Sequence, residues 1–144
     1  MRLTVSIDGA SRGNPGAAGV GVVIGDENGS VLKEISEYIG ETTNNVAEYM
    51  ALIRGMEEAL AMGADSIHLR TDSELLAFQL AGAYKVKAPH LRQLNESVRA
   101  LVDKFRAVSL TRVPRGENAQ ADALAAKAAQ RHRPEPGETT ITLK

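Results

Sequence analysis

LTVSIDGASRGNPGAAGVGVVIG, residues 3–25, is the stretch that decides the architecture. Its first six residues alternate, with Leu3, Val5 and Ile7 on one side and Thr4, Ser6 and Asp8 on the other. A period of two with one apolar side marks a strand that buries one face. Asp8 stands at the end of that strand. Residues 8–16, DGASRGNPG, are rich in Gly, Asn and Pro and read as a turn. Residues 19–25, GVGVVIG, read as a second strand, DENG as a tight turn, and residues 31–39 as a third strand. Short connections between three strands predict an antiparallel meander.

The period then changes. ETTNN, residues 41–45, is a cap-like cluster, and Val46, Tyr49, Met50, Ile53, Met56 and Leu60 recur at helical spacing up to a stop at Gly63. A fourth strand is expected over 66–71, with Ile67 and Leu69 inward, and a short helix over 73–81. Another helix is expected over 90–105 and a fifth strand over 108–113. A last helix is capped by Asn118 and runs to about Arg131. The order βββαβααβα predicts an α/β fold with a five-stranded mixed sheet and helices on its faces. The helical crossover before strand four should make it parallel to a neighbour. Residues 1–133 are expected to be the domain. Residues 134–144 are a tail whose TTITLK reads as a small docked strand or an arm.

The length of 144 residues suits one domain. Trp is absent and aromatics are scarce, so the core must be aliphatic and Ala-rich. No cysteine is present, which excludes disulfides and thiolate metal sites and is compatible with a reducing compartment. No signal peptide is visible, and the apolar runs are too short to span a bilayer. A cytoplasmic protein, without membrane contact, is expected. Net charge is only −1, but its distribution is uneven. Residues 26–74 hold eleven acidic and three basic side chains, whereas 85–115 hold eight basic and two acidic. That asymmetry fits metal in one place and phosphate in another, and equally two solvated faces.

Four acids draw the eye: Asp8, Glu48, Asp72 and Asp122. Asp72 ends strand four, and sites in open α/β sheets form beyond the carboxyl ends of strands. Glu48 and Asp122 fall in first turns of helices, where the helix dipole favours a carboxylate. Each also has a local explanation. Asp8 starts an Asp-Gly turn, Glu48 completes a capping box with Asn45, Asp72 caps a helix, and Asp122 complements a dipole. If the four converge, their repulsion requires a cation. Oxygen ligands without His or Cys suit Mg²⁺ or Mn²⁺.

The chain resembles type 1 ribonuclease H over nearly its whole length. The segments that carry the likeness are DGASRGNPG (8–16), TTNNVAEYMAL (42–52), TDSELL (71–76) and VPRGENAQADALA (113–125). GAYKVKA (82–88) adds a likeness to the shorter form found in archaea and some bacteria. The resemblance implies an endonuclease that cuts the RNA strand of RNA–DNA hybrids. It implies that Asp8, Glu48, Asp72 and Asp122 bind two Mg²⁺ ions, with Mn²⁺ as a substitute. One ion activates water and the other stabilises the leaving 3′ oxygen, giving 5′-phosphate and 3′-hydroxyl ends. Glu48 is also implied to lie near the ribose 2′-hydroxyl. Gly9, Ala10, Ser11 and Asn14 are implied as minor-groove contacts. Thr43, Asn44 and Asn45 are implied as further hybrid contacts at a helix N-terminus. No protein partner is predictable, and a monomer is expected.

Two features depart from many members of the family. Their loop before the last aspartate carries a His, whereas here it reads Pro114-Arg115-Gly116-Glu117-Asn118. His68, His90 and His132 do not match it. Arg115 is the candidate for an auxiliary catalytic role, with a phosphate contact or a solvated side chain as equal alternatives, and Glu117 is a weaker candidate. The basic, Trp-bearing protrusion is also missing, and Lys85, Lys87, Arg92 and Arg99 are candidates to replace part of its grip. Two other readings stay open: the same fold acting on duplex RNA as well, or a catalytically silent nucleic-acid-binding module. Intact acids at all four positions oppose the second.

Overall fold

A computed structural model of the chain describes residues 1–131 and 141–144. The elements are β1 (Arg2–Ser11), β2 (Gly16–Gly25), β3 (Val31–Thr42), α1 (Asn44–Ala61), β4 (Ser66–Thr71), α2 (Glu74–Leu80), α3 (Pro89–Val102), β5 (Ala107–Arg112) and α4 (Ala119–Arg131). A 3-10 turn, Arg115–Asn118, precedes α4. The expected element order is the observed one.

The strands form one sheet in the order β3-β2-β1-β4-β5. β1, β2 and β3 are antiparallel, whereas β4 runs parallel to β1 and β5 parallel to β4. The alternation in β1 decides its faces. Leu3, Val5 and Ile7 are fully buried and join Leu52 and Met56 of α1 in the main core. The other face receives α4, an alanine-rich helix that sits very close to β2. A Cβ on Gly21 would lie 2.1 Å from the Ala121 carbonyl oxygen, so only glycine admits α4 at this depth. The buried face of α4 is Ala121, Ala125, Ala128 and Ala129. Small residues on both sides let the start of α4 approach β1, and this brings Asp122 toward Asp8.

Four local expectations change. Asp8 does not end β1. The strand continues to Ser11 because Gly9, Ala10 and Ser11 keep pairing with Val20, Gly19 and Ala18 of β2, so the turn is confined to residues 12–15. The parallel ladder with β4 stops at Ser6 opposite Arg70. Asp8 and Asp72 each lie two residues past that last pair. Glu48 lies beyond the first turn of α1, whose first turn holds no acid. It forms no capping box: Thr43 is the N-cap and its side chain accepts from Val46 N. Asp72 does not cap α2, since Ser73 Oγ accepts from Leu76 N. Asn118 lies in the 3-10 turn ahead of α4, and its amide reaches across to β1.

The tail expected over 134–144 falls largely outside the described residues. Residues 141–144 are not in a strand, and Ile141 and Leu143 are 73% and 92% exposed. Among the described residues, no helix is long and apolar enough to cross a membrane.

Candidate active site

Past the point where the parallel β1–β4 ladder ends lies an open cleft of about 450 Å³, lined by Asp8, Gly9, Ala10, Ser11, Asn44, Asn45, Glu48, Asp72, Ser73, Arg115 and Asp122. All four acids singled out from the sequence line it. Carboxylate oxygens of Asp8, Glu48 and Asp72 lie within 4.8 Å of one another. Asp122 belongs to the rim. It is one of the neighbours that raise the Asp8 carboxyl, and Arg115 Nε lies 3.6 Å from its Oδ2.

Long-range contacts position each acid. Asp8 is only 4% exposed, at the centre of the sheet. Glu48 is fixed by Gly9, whose backbone N–H donates to Glu48 Oε2 at 3.3 Å. Gly9 is required there: a Cβ would meet the Ala47 carbonyl carbon at 2.2 Å, so a larger residue would force α1 away from β1. Asp72 follows fully buried Thr71, whose Oγ1 accepts from Ser73 N at 3.1 Å. Asp122 sits in the first turn of α4, and Asn118 Nδ2 donates to the Ile7 carbonyl at 2.9 Å.

The electrostatics follow from this crowding. Burial, followed by the charge of Glu48, pushes the Asp8 carboxyl up to about 9. Burial and the charge of Asp72 push Glu48 up to about 8, against a lowering pull from the Gly9 N–H. Without a cation the cluster therefore retains protons at neutral pH. This answers whether the donor set fits a hard divalent ion. Three converging carboxylates, with Asp8 and Glu48 resisting ionisation and no His or Cys among them, are a site a divalent cation would complete.

One wall of the cleft knits the glycine-rich turn to the start of α1. Ser11 N donates to Asn44 Oδ1 at 2.9 Å, and Asn44 N donates to Asn14 Oδ1 at 3.2 Å. Ser11 Oγ donates to the Thr42 carbonyl at 2.8 Å. The Asn14–Pro15 peptide is cis. Asn44 and Asn45 are exposed.

Of the basic side chains considered for the missing protrusion, Arg92 and Arg99 hold the fold. Arg92 Nε donates to the Val86 carbonyl, and Arg99 donates to Asn95 and to the Leu80 carbonyl. Lys85 and Lys87 are exposed. His68 lies away from the cleft on β4, between Ser109 and Thr111. His90 is exposed on α3, and His132 lies outside the described residues. Sequence reasoning overlooked Ser73 as a cleft residue, and Gln79 and Asn95 as buried polar groups. The only signal for Gln79 and Asn95 was a polar residue on an otherwise apolar helix face.

A five-stranded mixed sheet in this order, with acids gathered past the end of the parallel β1–β4 ladder, defines a domain of the ribonuclease H-like fold. The family described as Reverse transcriptase-like matches residues 6–128. A protein named Ribonuclease HI from Halobacterium salinarum is 46% identical over 127 residues, 88% of this chain and 64% of its own length. The crystal structure of that organism's RNase H1 matches with a TM-score of 0.87, covering 89% of this chain and 97% of that one. The N-terminal RNase H domain of a Mycobacterium tuberculosis protein is 41% identical, with a TM-score of 0.87 and coverage of 90% and 100%. The compost-derived LC11-RNase H1, solved in complex with an RNA/DNA hybrid, is 43% identical, with a TM-score of 0.84 and coverage of 88% and 96%. The chain belongs to the Reverse transcriptase-like family, and within it this domain is a type 1 ribonuclease H domain. It spans only 35% of the full-length mycobacterial relative, called a bifunctional protein.

Proposed function

We propose that this domain is an endonuclease that hydrolyses the RNA strand of RNA–DNA hybrids and leaves 5′-phosphate and 3′-hydroxyl ends. The observation that carries the reading is the convergence of Asp8, Glu48 and Asp72 within 4.8 Å, with Asp122 at the rim of the same cleft. The hybrid bound by LC11-RNase H1 supports the substrate.

Asp8, Glu48, Asp72 and Asp122 would hold two Mg²⁺ ions, with Mn²⁺ as a substitute. Bound there, the ions supply Lewis-acid stabilisation of charge on the attacking and leaving oxygens. The protein's own contribution is placement. Asp8, on the central strand, is the immobile member. The Gly9 N–H orients Glu48 and favours its ionised form. Arg115 beside Asp122 offers a mobile cation for phosphate charge, in the loop where other members carry His. The wall formed by Gly9, Ala10, Ser11, Asn14, Thr43, Asn44 and Asn45 is the proposed hybrid-binding surface. Backbone N–H groups at the α1 start suit phosphate, and the Asn side chains suit base edges. The same reading carries the cytoplasm as compartment and a monomer as working form, in keeping with a cysteine-free chain.

One assay tests the proposal. Labelled RNA–DNA hybrid, duplex RNA, single-stranded RNA and duplex DNA are incubated with Mg²⁺, Mn²⁺ or EDTA. Cleavage confined to the hybrid RNA strand, with 5′-phosphate ends and EDTA sensitivity, is expected. Cleavage of duplex RNA would widen the substrate class, and binding without cleavage of any substrate would favour a silent binding module.

A further inference from the structure

We infer that the hydrogen-bonded chain Gln79–Tyr49–Asn95–Arg99, buried except at Arg99, is a positioning device that sets the separation of Glu48 and Asp72 by locking α2 against α1 and α3. The inference rests on the functional reading above.

The chain is continuous. Tyr49, 1% exposed, donates its hydroxyl to Gln79 Oε1 at 2.7 Å. Asn95 Nδ2 donates to the same Tyr49 oxygen at 3.2 Å. Arg99 Nε donates to Asn95 Oδ1 at 3.0 Å, and a second guanidinium nitrogen donates to the Leu80 carbonyl at 3.2 Å. One polar path therefore runs from α1 to α2 and α3 and closes on the last turn of α2. Among the described residues no buried side-chain polar atom is left without a partner, so the network is satisfied and rigid rather than half-paired.

The elements it links sit beside the two acids. Tyr49 directly follows Glu48 on α1. Asp72 directly precedes Ser73, the N-cap of α2. Glu48, Tyr49, Ser73 and Gln79 line a single crevice with no room for water. Displacement of α2 is thus transmitted to the acids without solvent to absorb it.

The fold gives α2 little other anchorage. It has seven residues, and only Leu76, Ala77 and Gln79 are buried. When both are ionised, two carboxylates this close repel, and the repulsion acts to part α1 from α2. The hydrogen-bonded chain opposes that separation. Tyr49 and Gln79 touch neither substrate nor metal in this assignment. They act through the placement of Glu48 and Asp72.

The test uses two single variants, Tyr49→Phe and Arg99→Ala, and the double variant Tyr49→Phe/Gln79→Met. Each is read by the MgCl₂ concentration at half-maximal thermal stabilisation and by kcat and KM on hybrid. Loss of a partner behind a metal ligand lowers metal affinity by roughly 10–100-fold, and one step further out about a threefold to tenfold rise in the Mg²⁺ midpoint is expected. kcat should fall with it while KM for hybrid is unchanged. The double variant replaces the orphaned Gln79 by an apolar side chain, so it should recover thermal stability without recovering the midpoint. A lowered melting temperature with an unmoved Mg²⁺ midpoint, or a double variant that recovers both, overturns the inference and leaves the functional reading intact. A parent protein that neither responds to Mg²⁺ nor cleaves hybrid overturns the functional reading and this inference with it.

Discussion

Asn118 and Ile7, 111 positions apart, are joined by a buried hydrogen bond: Asn118 Nδ2 donates to the Ile7 carbonyl at 2.9 Å. Ile7 immediately precedes Asp8, and Asn118 lies one helical turn before Asp122. The bond ties the loop that presents Asp122 to the strand that presents Asp8. Asn118→Leu should therefore do two things. Leaving the Ile7 carbonyl unpaired in the interior should cost about 1–3 kcal/mol in urea unfolding. Hybrid cleavage should fall under conditions where the variant is fully folded. Full activity in a destabilised variant would limit Asn118 to a structural role.

Asp72→Asn keeps the shape of the side chain and removes one charge from the cluster. Cleavage should fall by more than the roughly 10–100-fold that loss of an outer partner costs. In EDTA the variant should melt at a higher temperature than the parent, because it relieves repulsion on Glu48. Retained cleavage would sink the metal-centred reading.

The pH dependence of stability has a definite sign. In the folded protein Asp8 and Glu48 hold their protons up to about 9 and about 8, whereas unfolded carboxyls release theirs near 4. The folded state therefore binds more protons across that interval, and stability in EDTA should fall as pH rises toward 9. His68 runs the other way, since its lowered range makes the folded state bind fewer protons near its unfolded value. Melting temperatures are best compared from about pH 7.5 to 9.5, above the His68 range. Asp8→Asn should lessen the slope, and excess Mg²⁺ should abolish it, because metal binding displaces those protons. A flat EDTA profile in the parent would contradict the raised ranges.

Arg115 is 81% exposed at its side chain and lies 3.6 Å from Asp122. Ion pairs this exposed add little to stability. Arg115→Ala should leave the melting temperature and the Mg²⁺ midpoint unchanged while kcat drops severalfold. Unchanged kcat would remove Arg115 from the reaction.

With Arg92 and Arg99 engaged in holding backbone, the connector before α3 has Lys85 and Lys87 to offer to phosphate. Removing both should reduce the slope of log affinity against log salt by about 1 to 2, close to one for each phosphate that is no longer neutralised. An unchanged slope would move the electrostatic grip elsewhere.

The sequence by itself determined the inventory and order of parts. Alternation in residues 3–8 and helical recurrence across 46–62 are local periodicities, so β1 and α1 were legible in single segments. The same holds for the candidate acids, whose motifs carried the family likeness. Tertiary structure alone decided which polar group serves which partner. Asn45 with Glu48 has the spacing of a capping box, and Asn118 the place of a helix cap. Yet Glu48 takes the Gly9 N–H from a strand 39 positions away, and Asn118 takes the Ile7 carbonyl. Local spacing sets out the bonds a side chain is able to make. The choice among them depends on which groups burial would otherwise leave unpaired, and that is settled only when distant segments pack. Packing also resolved the four acids into a tight group of Asp8, Glu48 and Asp72, with Asp122 at the rim beside Arg115. Their convergence follows from the glycines that let α1 and α4 pack close on opposite faces of the sheet, an approach no spacing along the chain encodes.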